Sequence, residues 1–319
     1  MKAAVYYTNG GPEVLRYETV PDPECPPGCV LVRARAISLE GGDLLHRAET
    51  PPPSTPYVVG YAAAGEVVAL GEGVTDLALG QVVTTTFFAG SHAELRAVPV
   101  QLAWPVPDGV DIGAAAAIPV GFATADEALT ARARVQPGEV VLIHAAASGV
   151  GVAAVQLAKA AGATVIAVAT SRPRLDRLAG IGADHLIDRQ TEDIVSRVHE
   201  ITEGRGADVV LDPVGSTVQS SIDASAERGR IVLVGNAGRG PMVADFAGVL
   251  FGNRTVHGVQ LGQEVLTDRV QGSIRRLLDR LADGSLQVLV DRRFPLSEAA
   301  QAHAYVESRA AVGRVLLIP

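Results

Sequence analysis

The chain of 319 residues is poor in several kinds of residue. It has two cysteines, Cys25 and Cys29, and they bracket Pro26-Pro27-Gly28. A structural zinc site needs four ligands, and none follows these two at a suitable spacing. The pair reads as part of a proline-rich surface turn. Lys and Arg number 27 against 35 Asp and Glu, a formal charge of -8, and no Lys/Arg-rich stripe is present. Nucleic-acid binding is therefore not expected, because its affinity is built from many cation–phosphate contacts. No apolar run approaches the roughly 20 residues that a membrane span needs. The opening Met1-Lys2-Ala3-Ala4-Val5-Tyr6-Tyr7 reads as a short strand without a signal-peptide h-region or cleavage site, so a cytoplasmic location is expected.

What is abundant is apolar residues (48%), with 34 Gly and 19 Pro, a composition that suits an α/β enzyme. The length allows two units, each with its own core. Up to about residue 120, short β-rich runs (Cys29–Ile37, Ala62–Leu70, Gln81–Thr86) are broken by Gly71-Glu72-Gly73 and Pro51-Pro52-Pro53-Ser54. Frequent Gly/Pro punctuation predicts a small irregular barrel. From Gly138 the rhythm changes. Strands at Val140–Ile143, Thr164–Ala169, His185–Ile187, Asp208–Leu211 and Ile231–Val234 alternate with helices at Val152–Ala161, Leu175–Leu178 and Ile194–Ile201. Short apolar strands alternating with helices mean βαβ units and a parallel sheet buried on both faces. A long amphipathic helix (Val265–Ala282), a strand pair, a last helix after Ser297 and a closing strand (Arg314–Ile318) follow. The C-terminus is expected to return to the first domain.

The loop Ala145-Ala146-Ala147-Ser148-Gly149-Val150-Gly151 follows a strand and opens a helix. Small residues there let backbone approach a pyrophosphate, with helix N–H groups and the dipole facing the anion. Ala146 and Ser148 stand where two fingerprint glycines would be; the alternative is a turn kept small for packing alone. An NAD enzyme usually places Asp or Glu at the end of the second strand, to bind the ribose 2′-OH. Here Thr170-Ser171-Arg172-Pro173-Arg174 carries no acid before Asp176. A hydroxyl with two guanidinium groups suits a 2′-phosphate, which predicts NADPH rather than NADH; the alternative is a solvated basic loop.

Further segments now make a resemblance specific. They include Gly60-Tyr61-Ala62-Ala63-Ala64-Gly65-Glu66-Val67, Val155-Gln156-Leu157-Ala158-Lys159, Gly182-Ala183-Asp184-His185, Asp212-Pro213-Val214-Gly215 and Gly229-Arg230-Ile231-Val232 before Gly235-Asn236. Together with Gly149-Val150-Gly151, and over essentially the whole chain, they resemble the zinc-independent quinone oxidoreductase group of the medium-chain dehydrogenase/reductase superfamily. The resemblance implies an α/β architecture. It comprises a GroES-like β-barrel substrate domain (1–120, completed by about 262–319), a Rossmann domain (121–261) and an active-site cleft between them. It implies hydride transfer from NADPH to a quinone or α,β-unsaturated carbonyl. Zinc-dependent relatives carry a His-Glu pair where this chain has Tyr61-Ala62, so no metal is expected. Cofactor contacts implied residue by residue are Thr124, Ser148, Gly149, Val150, Gly151, Ser171, Arg174, Gly235 and Asn236. Arg189, where relatives often carry Tyr, and Arg309, near the C-terminus, are implied as further basic contacts, each with a surface arginine as the alternative. The segment Asn253–Val259 resembles the family's edge strand, which implies a homodimer.

The substrate side departs from the pattern. The family's Asn-x-x-Asp reads Glu40-Gly41-Gly42-Asp43, an aromatic position is Leu45, Arg47 is kept, and Gly-Ser-Tyr-Ala-Glu reads Gly90-Ser91-His92-Ala93-Glu94. Glu40 is a candidate proton donor if buried without a cation; a salt bridge to Arg47, or exposure, is the alternative. His92 is a candidate donor near neutral pH or a filler of a Tyr-shaped site. Tyr61 and Tyr57 are further candidates. A quinone acceptor needs no dedicated acid, since water can protonate the hydroquinone anion. These departures also admit a specialised enoyl reductase acting on a biosynthetic intermediate, or a dinucleotide-binding redox sensor without catalysis.

Overall fold

The computed structural model describes residues 1–319. The chain folds as two units, Met1–Ala123 with Gly262–Pro319, and Thr124–Leu261.

The first unit opens with β1 (Lys2–Tyr6), β2 (Arg16–Thr19), β3 (Cys29–Ser38), α1 (Gly41–Glu49), β4 (Tyr57–Val58) and β5 (Ala62–Leu70). Then follow β6 (Val82–Thr86), β7 (Leu95–Pro99), β8 (Ala103–Pro105) and α2 (Ile112–Ala116). α3 (Ala123–Asp126) begins at the last residue of this stretch. In β3 the side chains Val30, Val32, Ala34 and Ala36 alternate into the interior, the period-2 signature of a strand with one face on a core. The β3–β5 pairing is antiparallel and slips twice, between Leu31/Val32 and Ala34/Ala36. Such bulges bend and twist a sheet, which suits a small barrel.

The second unit contains β9 (Val140–Ile143), α4 (Gly149–Ala160), β10 (Thr164–Ala169), α5 (Arg172–Ala179), β11 (His185–Asp188) and α6 (Ile194–Ile201). β12 (Ala207–Asp212), α7 (Val218–Asp223), β13 (Ser225–Leu233), α8 (Ala247–Phe251) and β14 (Thr255–Gly258) complete it. Every pairing is parallel, in the order β11-β10-β9-β12-β13-β14. That is the doubly wound Rossmann order, and the strand order reverses between β9 and β12. All four side chains of β9 are buried, as expected for a strand covered on both faces. One core layer joins Leu142, Val168, Ile187, Val210 and Ile231 to Val198, Val218 and Ile222 of α6 and α7.

The chain then runs through α9 (Leu261–Glu264), α10 (Asp268–Ala282), β15 (Val290–Pro295), α11 (Ala299–Glu307) and β16 (Arg314–Ile318). The expected strand pair before the last helix is one strand, β15; its parallel partner is β16, on the far side of α11. β16 also pairs antiparallel with β3, Leu316 opposite Ser38 and Leu317 opposite Ile37, so the C-terminus completes the first unit's sheet.

Candidate functional site

In the second unit the residues of interest gather at the C-terminal ends of the parallel strands. Ala145 leaves β9 with φ 46°, a left-handed conformation, and its carbonyl accepts from the Ser148 amide. α4 begins at Gly149, and Gly151 in its first turn has no room for a side chain. A Cβ there would lie 2.5 Å from the Ala145 carbonyl oxygen and 2.6 Å from both the C and Cα of Ala146. This is the close helix–strand approach for which the third fingerprint glycine exists. Ser148 caps α4: its hydroxyl accepts the Gly151 amide at 3.1 Å. Its oxygen thus serves the helix, and Gly149 and Val150 form the helix's opening turn. A 12-residue helix presents its N-terminal amides and positive dipole end here.

At the next strand end Ser171 also has positive φ, 75°, and its side chain makes no capping bond to α5. A non-glycine residue held there is strained, and such strain gathers at ligand sites. Arg174 Nη1 donates to Thr170 Oγ1 at 2.6 Å, which ties the guanidinium to the strand end. Asp188, at the end of β11, accepts the Ser171 amide at 3.2 Å and the Gln190 amide at 3.0 Å through one oxygen. An acid therefore does stand beside the second strand, contributed by the third. Arg189 follows it and is exposed. Asp212, ending β12, is fully buried and accepts from the Val214 and Gly215 amides, Thr217 Oγ1 and Ser221 Oγ. Gly235 is exposed, and Asn236 Nδ2 donates to the Gly240 carbonyl while its Oδ1 is buried without a partner. Thr124 is 8% exposed in α3. One residue missed in the sequence reading belongs to this rim: His144, which ends the strand run before the loop and is 1% exposed. The tight approach at Gly151, the helix terminus, the strained Ser171 and the unpartnered Asn236 oxygen fit a dinucleotide.

In the first unit, polar side chains form a buried network. Glu40 is 3% exposed and caps α1 in a reciprocal arrangement with Asp43. Its carboxylate accepts from Ser38 Oγ at 2.9 Å and from Arg314 Nη1. The expected partner, Arg47, is engaged elsewhere, and the reading of Glu40 as an acid without a cation is overturned. Burial pushes the Glu40 carboxyl up while Arg314 and Ser38 pull it down. Asp43 accepts the Glu40 and Tyr61 amides, and burial raises its carboxyl well above the usual range despite Arg96. Arg96 in turn donates to the Phe87 and Ala89 carbonyls. Tyr61 is half-buried, lies over Gly42, and has its hydroxyl pushed up to about 12 by burial and by Asp43. It holds its proton at neutral pH. Tyr57 packs edge-on against Tyr6 at 5.5 Å. Arg309 is exposed just past α11, with φ 59°.

His92 is fully buried, with Nε2 2.9 Å from His303 Nε2 and Nδ1 3.2 Å from Ser91 Oγ. His303 Nδ1 lies 3.1 Å from Arg47 Nη1. A guanidinium only donates, so the tautomers follow: His303 carries its proton on Nε2, and His92 on Nδ1. Both rings are neutral, with the Arg47 charge, itself paired to Glu307 at 2.7 Å, behind them. Burial, then Arg96 and Arg47, press His92 down to about 3; burial, His92 and Arg47 press His303 well below its ordinary value. His92 is thus no imidazolium donor near neutral pH. Below about 6.5 the unfolded chain binds protons that the folded chain refuses, so stability falls as pH drops from about 6.5 towards 3, by at most about 1.4 kcal/mol per pH unit for each ring. Urea unfolding between pH 7 and 4 is expected to show a shallower loss for His92→Gln than for the parent. Equal slopes would refute the assignment.

Two family models match the chain: Alcohol dehydrogenase GroES-like domain over residues 26–108 and Zinc-binding dehydrogenase over 149–282. No group of three or more His, Cys, Asp or Glu side chains is placed to hold a metal ion, so the residues present do not fit the zinc named in the second model. No helix is long and apolar enough to cross a membrane. The chain is 37% identical to a quinone oxidoreductase of Pseudomonas aeruginosa over 97% of each chain. It is 35% identical to a 2-haloacrylate reductase of Burkholderia sp, covering 99% of this chain and 98% of that one. The solved Escherichia coli quinone oxidoreductase complexed with NADPH superposes with TM-score 0.91 at 31% identity, over the full length of both. The glycine-tight strand-to-helix turn, the doubly wound sheet and these full-length similarities together place the chain in the quinone oxidoreductase group of the medium-chain dehydrogenase/reductase superfamily.

Proposed function

We propose that this oxidoreductase transfers hydride from NADPH to a quinone or an α,β-unsaturated carbonyl, without zinc. The observation that carries the cofactor choice is the strained Ser171 next to Arg174, whose guanidinium is tied to the second strand's end by Thr170. Asp188, the acid nearby, is turned to backbone amides. In this reading Gly149, Val150 and Gly151 with the α4 terminus hold the diphosphate, and Ser171, Arg174 and Arg189 hold the 2′-phosphate. Thr124, Gly235 and Asn236 line the nicotinamide end, and Arg309 is a further basic contact. When bound, the cofactor supplies the hydride.

The chain's own contribution is binding, orientation and hydrogen-bond donation, the terms that dominate when two reactants are held together. Tyr61 is the donor favoured here over Glu40 and His92, because Glu40 is paired to Arg314 and His92 is sealed. Its hydroxyl stabilises negative charge on a carbonyl oxygen without giving up its proton, and water protonates the hydroquinone product.

Steady-state NADPH oxidation with quinones, enones and enoyl thioesters tests the reading. Turnover with none of them, despite NADPH binding, would overturn it. Arg174→Ala is expected to raise KM for NADPH about ten- to a hundredfold, the worth of a charge-assisted hydrogen bond, and leave KM for NADH within about threefold. Equal effects on both would count against the clamp. The second copy is proposed to join at β14, an edge strand beside Leu250 and Phe251, which are 71% and 82% exposed. Light scattering is expected to give a dimer; a monomer would refute that part.

A further inference from the structure

The loop after β6 holds two exposed phenylalanines in a chain whose aromatic residues make up only 4%. Phe87 is 37% exposed and Phe88 65%, with their rings 5.9 Å apart. The pair is not loose. The Phe87 amide donates to the Tyr61 carbonyl at 2.9 Å, and the Gly90 amide donates to the Val58 carbonyl at 2.9 Å. Buried Arg96 gives Nη2 to the Phe87 and Ala89 carbonyls. Gly262 backs Phe88: a Cβ on that glycine would lie 3.2 Å from the ring. Contiguous apolar surface held in place in this way is the mark of a contact face. Register puts that face beside Tyr61. β5 and β6 pair Ala62 with Thr86, and one step further Tyr61 and Phe87 stand opposite each other.

The Tyr61 ring itself lies over the first turn of α1, which opens with Gly41 and Gly42. Glycine weakens a helix, so two in a row call for a reason. Gly42 has one in the fold: a Cβ there would fall 2.3 Å from Tyr61 Cε2. Gly41 has none. It is exposed, its φ is not positive, and nothing lies within 4 Å of its Cβ position. Bare backbone with no partner in the chain lets a ligand approach closely. We propose that Gly41, Phe87 and Phe88 determine acceptor specificity. They line a subsite beside Tyr61 for an aromatic ring joined to the reactive quinone or enone. The glycine leaves room for the ring's thickness, and the phenylalanines give faces and edges for offset or edge-on packing. This rests on the reading above of a quinone or enone acceptor held by Tyr61. It names what that acceptor carries, a flat apolar group beyond its carbonyl.

Two acceptor pairs test this in the full chain with NADPH: naphthoquinone against benzoquinone, and benzylideneacetone against ethylideneacetone. Comparing the large-over-small ratio of kcat/KM between parent and variant cancels the acceptors' different intrinsic reactivity. Gly41→Leu fills the space, and Phe87→Ala combined with Phe88→Ala removes the wall. Each is expected to lower that ratio about tenfold or more, the worth of burying an aromatic ring. Parent-like ratios would overturn the proposal. So would a rise in KM for NADPH as large as the fall in the ratio, which would show that these residues serve the cofactor instead. The three positions are exposed, so both variants are expected to fold. Gly41→Leu is expected to melt no lower than the parent, since leucine favours a helix more than glycine does. A Tm lowered by more than about 5 °C would show that the fold itself needs this glycine, and would overturn its assignment. Turnover of none of the four acceptors by a parent that binds NADPH would instead defeat the function reading itself.

Discussion

Replacement of Arg314 by methionine is expected to destabilise the first unit by about 3–5 kcal/mol at pH 7, a large share of the roughly 5–15 kcal/mol that holds a domain folded. Arg314 and Glu40 are each about 4% exposed in their side chains, and Nη1 of the arginine serves both the carboxylate and the Leu39 carbonyl. The arginine is seated by Gly121, where a Cβ would fall 1.3 Å from Nη2. Its Nε and Nη2 find no acceptor, so the guanidinium is held by the Glu40 side alone. Removing the cation strands a buried carboxylate. The loss is expected to shrink as pH falls, because Glu40 without Arg314 takes up a proton and escapes the cost. Adding Glu40→Gln to Arg314→Met is expected to restore about half of the lost stability, since it replaces the charge by a neutral group that still meets Ser38. Urea unfolding followed by circular dichroism measures all three proteins. A loss below about 1 kcal/mol in the single variant would show that the pair matters little.

Gly151→Ala is expected to raise Kd for NADPH at least about a hundredfold and to cost the second unit about 1–3 kcal/mol, the usual toll of overpacking. The added methyl meets backbone on both counts, the Ala145 carbonyl and the Ala146 Cα, so no side chain can swing away. β9 cannot yield either, because β10 and β12 hold it from both sides. Relief comes only by lifting the start of α4, which withdraws the helix amides from the diphosphate. Gly180→Ala is the control: the nearest atom to its Cβ position, the Arg177 carbonyl oxygen, lies 3.7 Å away, and it is expected to leave both quantities unchanged. Fluorescence titration and thermal melting read the two effects, and parent-like NADPH binding in Gly151→Ala would refute the cradle.

The sequence by itself determined the architecture of this protein. Strands Ala62–Leu70, Thr164–Ala169 and Arg314–Ile318 and helix Ile194–Ile201 have the bounds that pattern and punctuation predict. Such features are local: periodicity, turn residues and one glycine in a first helical turn act within a few positions of themselves. The single strand mistaken for a pair, β15, pairs across the intervening α11, which no local signal reports. The substrate-side chemistry was decided by tertiary structure alone. Glu40 finds its cation 274 positions away in Arg314, not in nearby Arg47, and His92 finds His303 across 211. Asp188 reaches Ser171 only because β10 and β11 lie side by side. Whether a titratable side chain is charged, paired or sealed depends on what burial brings against it, and burial is a property of the whole fold.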